Sequence, residues 1–199
     1  NGKSFAGHQL WYRITLDVAL CIPILIMITI TGCQKESVGA SNDVQAAVSR
    51  KAAVEGNVVN DYTGLSKITL WELQQVRAAT AKYRNIENAK KDGYVDIEVD
   101  VENMGHHFMK KSLVDATFDL KQPEILVYNK NHEGQQELVA AEYAIPLELS
   151  PDAAPAGFSG TKDVWDHNTG FGLWLLHAWV WAYNPDGVFN PTNPTVHLH

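Results

Sequence analysis

"GLWLLHAWVW", residues 172–181, decides how the rest of the chain is read. Three of the six tryptophans fall in Trp174–Trp181, with His177 between them. Its periodicity alone fits a helix or a strand. Its length, its aromatic content and its bounds at Gly172 and Asn184-Pro185 favour a strand, placed centrally in a sheet. An imidazole in such a strand is costly unless it is paired or bound to something.

Other strands gather around that one. Val95, Ile97, Val99 and Val101 alternate with Asp96, Glu98, Asp100 and Glu102, the pattern of a half-buried strand. The four carboxylates read as a solvated face, because the loop and glycine of a calcium site are missing. "PEILVY" (123–128) and "ELVAAEYAIP" (137–146) flank "NKNHEG", a hairpin signal. Residues 151–163 read as a long loop, "NPDG" as a turn, and "NPTNP" cannot continue a ladder.

Ahead of these strands, Leu70, Leu73, Val76, Thr80, Tyr83 and Ile86 recur at helical steps. Thr69 and Glu72 match a capping box, with Ile68 and Leu73 as its staple. Lys90, Lys91 and Gly93 suit the far end, so one helix is expected from about Leu70 to Lys91. The expected fold is α+β: one N-terminal amphipathic helix packed on an antiparallel β-sheet with long loops, over residues 66–199.

The first thirty-three residues are different in kind. Lys3 and Arg13 precede a run that stays apolar from Val18 to Ile30. A bilayer span needs about twenty residues, so the run fits a signal-peptide core better than an anchor. An uncleaved transmembrane anchor is the alternative. The run ends in Ile30-Thr31-Gly32-Cys33, which resembles the lipobox of bacterial lipoproteins. That resemblance implies a signal peptide over residues 1–32, cleavage before Cys33 and lipidation of Cys33. Gln34 after it implies export to the cell envelope, on the outer membrane where the cell has one. The long stretch before the apolar run has no initiator Met, which suggests that the frame starts upstream or is incomplete. Residues 33–65 then read as the lipidated cysteine and a flexible Ser, Asn, Ala and Gly-rich tether.

Charge and cysteine content narrow the function. The net charge is −7, and cleavage would remove two positive charges and one negative, leaving −8. Lys90-Lys91 and Lys110-Lys111 are isolated pairs, so no basic stripe is available for nucleic acid. Cys21 and Cys33 are the only cysteines, which leaves the mature body without thiol chemistry. There is no G-x-S-x-G elbow, Gly-rich phosphate loop or HExxH.

What remains is a set of histidines with one carboxylate. Glu142 stands in an otherwise apolar strand beside Ala140 and Ala144, which leave room around it. His106 and His107 end another strand, and only one of two neighbours faces in; His107 is the expected one. His107, Glu142 and His177 form a sound ligand set for a divalent metal: zinc, iron or manganese. Tyr143, Trp179 and Trp181 are expected to help line the pocket. The simpler alternative is a Glu142–His177 hydrogen-bonded pair that only locks two strands. Asp166 and His167 are read as solvated loop, with the rim of the pocket as the alternative, His132 as turn surface, and His197 and His199 as a frayed end.

"ATAKYRNIENAKKDGY", "MGHHF", "PEILVY", "AAEYAIP", "FGLWLLHAWVWAYNPDGVF" and "NPTV" together resemble an uncharacterised family of secreted bacterial proteins. The resemblance spans about Ala79 to Pro194 and carries no established activity. It implies that His107, Glu142-Tyr143 and His177 stand at the family's recurring positions. The leading expectation is therefore a membrane-anchored binding module for a metal or small molecule. A metal-dependent enzyme, or one using Glu142 as base and His177 as acid, comes second. A structural or interaction lipoprotein comes third.

Overall fold

Alternation is the rule that builds this molecule. A computed structural model describes residues 56–198, and their strands form one six-stranded antiparallel sheet. The strands are β1 (Val95–Val101), β2 (Gly105–Met109), β3 (Ile125–Lys130), β4 (Gln136–Pro146), β5 (Asp166–Asn168) and β6 (Leu173–Ala178). Their order across the sheet is β1-β2-β3-β4-β6-β5. The class is α+β, as the patterning implies.

Helical segments cover one face. Helix α1 (Lys67–Thr80) is followed by a 3-10 turn, Ala81–Arg84, and a short helix α2 (Ile86–Lys91). The single helix expected to Lys91 is therefore broken. Asn85 is the reason: it leaves helical geometry and its side chain accepts from the Glu87 amide, capping α2 anew. The N-terminal cap also differs from expectation. Ser66, not Thr69, is the cap residue, and its hydroxyl accepts from the Thr69 amide. Thr69 instead donates to the Ser159 carbonyl, and Glu72 accepts from the Ser159 amide and hydroxyl. Both side chains are spent on holding the 151–165 loop rather than on the helix. Ile68, offered as a staple residue, is exposed.

Leu73 and Val76 of α1 pack with Ala141, Tyr143, Leu176 and Ala178 on this face. Tyr83, Ala89 and Tyr94 pack with Phe108, Leu126 and Tyr128 beside them. The intervening residues of the same strands, Ile125, Val127, Ala140 and Ala144, are equally buried on the other face. A sheet apolar on both faces must be covered on both.

The second cover is the chain after β6. Trp179 leaves the ladder, its amide donating to the Val188 carbonyl and its indole to the Asn190 carbonyl. The Asn193 amide then donates to Asn103 in the β1–β2 turn, and Val196 packs against the sheet. The long apolar strand expected over 173–181 thus ends at Ala178. The domain also starts earlier than Ser66. Val59 and Tyr62 are buried in the core, and the Tyr62 hydroxyl donates to the Trp179 carbonyl and accepts from the Asn184 amide. Cys33, the expected signal peptide and the tether up to residue 55 lie outside the described residues. No helix among the described residues is long and apolar enough to cross a membrane.

Candidate metal centre

Register places three chemical groups on one patch of the sheet. Glu142 in β4 lies directly opposite His177 in β6 and Ile125 in β3. His107 in β2 lies opposite Val127, itself opposite Ala140. His107, Glu142 and His177 therefore share a face across four strands, and the small Ala140 and Ala144 side chains leave space between them. Each of the three offers one ligand atom, and these atoms lie within 4.8 Å of one another.

All three side chains are buried. His107 Nδ1 faces the Val99 carbonyl at 2.7 Å, an acceptor only, so Nδ1 carries the proton and donates. That leaves Nε2 with a bare lone pair, aimed at Glu142 Oε2 3.6 Å away. A second-sphere carbonyl that fixes the tautomer in this way is the usual support of a metal-binding histidine. His177 is oriented differently: its ring stacks on Trp179, 5.5 Å between centroids and 11° from parallel. Its Nε2 lies 3.6 Å from Glu142 Oε1.

Those distances bear on both structural readings. A paired Glu142 and His177 would close to about 3 Å or less. Instead His177 Nε2 and Glu142 Oε2 are buried with no hydrogen-bond partner. Such orphaned groups are costly. One ion bonded at about 2.1 Å to two ligands in tetrahedral geometry holds them about 3.4 Å apart; here each imidazole nitrogen lies 3.6 Å from a different oxygen of Glu142, and one ligand atom from each of the three residues fits within 4.8 Å.

Electrostatics agree with neutral imidazoles. Burial pushes His177 down to about 3, with the neighbouring His107 adding to the effect. Burial likewise lowers His107, opposed by its bond to Val99. Burial raises Glu142 to about 8, with the Asp166 and Glu124 carboxyl groups adding to the effect. Two neutral imidazoles and one carboxyl facing each other are a donor set without a cation of its own.

A cavity of about 240 Å³ opens over this centre. Ile97, Val99 and Val101 of β1 form one wall, with Met109 and Ile125 behind them. Leu173 and Leu175 of β6 form the facing wall, with Asp166 and Asn168 of β5 at its edge. Both edge strands reach one cavity, so the sheet curls around it. The apolar side of β1 thus faces a cavity, while Val95, at the strand's other end, is exposed. Asp166 is exposed and reaches the edge of the cavity, the rim position that the sequence offers as its alternative, but it does so from a short strand rather than a loop. Its neighbour His167 packs on Trp174.

Two expected pocket residues lie elsewhere. Tyr143 points to the helical face, where its hydroxyl donates to Leu120, because it neighbours Glu142 in a strand. Trp181 lies beyond the end of β6; its indole donates to Thr80 and its ring is covered by Arg77. Trp179 is not a cavity wall but backs the His177 ring. His106 turns away from the centre to pair with Asp100 at 2.6 Å. His197 bonds Glu102, and His199 lies outside the described residues.

Comparison of the chain with protein-family models, curated proteins and solved structures yields no match.

Proposed function

We propose that this protein is a lipid-anchored envelope protein whose domain binds a divalent metal through His107, Glu142 and His177. The observation that carries the reading is the convergence of three buried ligand atoms, two of them without any partner, at a spacing too long for hydrogen bonds. Zinc, iron and manganese all accept two imidazoles and a carboxylate. Three protein ligands leave at least one coordination position for an exogenous group. The membrane anchor rests on the Ile30-Thr31-Gly32-Cys33 pattern behind an apolar run.

The adjoining cavity favours a metal-dependent enzyme as the second reading, since it gives a reactant access to the open position. An acid–base mechanism with His177 as acid fits less well, because burial keeps that ring unprotonated at neutral pH.

Elemental analysis of the purified protein tests the site. About one metal per chain is expected, with loss in both His177→Ala and Glu142→Ala while circular dichroism is retained. No metal after loading with zinc, iron(II) or manganese(II), with both variants merely less stable, refutes it.

A further inference from the structure

We infer that the cavity over the metal centre receives a small, mostly hydrocarbon molecule that presents one oxygen to the metal, a ligand of the phenol and alcohol class. The inference rests on the metal reading above and names what fills the open position.

The walls exclude most other chemistries. Ile97, Val99, Met109, Leu173 and Leu175 give the ligand body only hydrocarbon and thioether to touch. Among the described residues no lysine or arginine lines the cavity, so a carboxylate or phosphate tail would be buried without a counter-charge. Asp166 adds a negative charge beside the same space. Away from the three ligands, Asp166 and Asn168 are the only polar wall residues among those described, and they already bond each other at 3.2 Å. A sugar or polyol would leave most of its hydroxyls unsatisfied there.

Size and charge complete the argument. An engineered apolar cavity of about 150 Å³ takes up benzene, so 240 Å³ accommodates a ring with a short substituent. Two neutral imidazoles and one carboxylate leave a single positive charge on a divalent ion. A phenol or alcohol that binds as its oxyanion, giving up its hydroxyl proton to solvent, neutralises it inside a low-dielectric site. The ligand set lies at the buried base of the cavity, and the exposed Phe171 marks its mouth. The oxygen end therefore enters first and the hydrocarbon end fills the walls.

The test uses the full chain in detergent, loaded with cobalt(II), whose visible bands report its own ligands. 4-Methylphenol should shift these bands saturably, and glycerol should need about tenfold more or fail. Ile97→Trp and, on the facing wall, Leu173→Phe should keep the cobalt bands and weaken 4-methylphenol by about tenfold. Both variants sit in the same detergent, so partitioning of the probe cancels. Cobalt bands that 4-methylphenol leaves unmoved, that glycerol moves equally, or that 4-methylphenol shifts in both variants as readily as in the parent protein overturn the ligand class and leave the metal site standing. Failure to bind cobalt at all overturns the metal reading, and this inference with it.

Discussion

Glu124 is the buried carboxylate that sequence gives least warning of. It precedes β3, is almost fully buried, and accepts the Ala144 amide through Oε2 at 3.1 Å. Burial raises it to about 8 from an ordinary 4.5, with Asp115 and Asp119 adding repulsion. The folded protein therefore holds a proton that the unfolded chain releases between those values. Its contribution to stability is full below about pH 4.5 and is lost as pH rises towards 8. Denaturant midpoints at three pH values across that window should show a shallower fall for Glu124→Gln, by about one proton. An unchanged slope would mean that Glu124 is ionised in the fold. Tyr62 makes a second residue-level case. Tyr62→Phe removes a hydroxyl that serves both the Trp179 carbonyl and the Asn184 amide. Leaving both buried groups unpaired should cost about 1–3 kcal/mol in chemical denaturation. A loss of only a few tenths would show that water replaces the hydroxyl.

At the scale of elements, the β1–β2 hairpin sets the position of His107. Gly105 has φ of 111°, and a Cβ there would collide with the Tyr128 carbonyl oxygen of β3. Only glycine lets the hairpin close this near its neighbour. Gly105→Ala should destabilise the domain by more than about 1 kcal/mol and weaken metal binding as well, because β2 shifts with it. Metal titration of the folded variant with unchanged affinity would separate the hairpin from the site. The β1 alternation was legible in sequence, and so was the β3–β4 hairpin. The break at Asn85 was not, because a capping asparagine and an exposed helical asparagine look alike until the chain turns. The missed β5 has the same origin: three residues, Asp166–Asn168, carry too little pattern to announce a strand.

At the scale of the molecule, the segment after β6 turns an open sheet into a container. It covers the face that carries the centre and supplies Pro191 to the cavity wall. The proposed anchor is a separate device. Cys33→Ala should release the protein from the membrane fraction and abolish the mass added by acylation, both read on the intact chain. Retention in the membrane with no added mass would favour the uncleaved apolar segment as the anchor.

Residue types and alternation were enough to single out Glu142 and His177, because a polar side chain in an apolar strand stands out wherever the strand lies, and to narrow His106 and His107 to one inward residue. The same alternation put Tyr143 on the other face from Glu142, a consequence of period two that the sequence already contained. What lies between those side chains was beyond it. The 3.6 Å gaps, the bond from His107 to Val99 and the cavity against β1 depend on register, on the curl of the sheet and on where the chain after β6 returns. Sequence determines which groups cannot afford to be buried alone, since that follows from their own chemistry. Tertiary structure decides whether they meet each other or leave room for a guest, since that depends on distances set by distant parts of the chain.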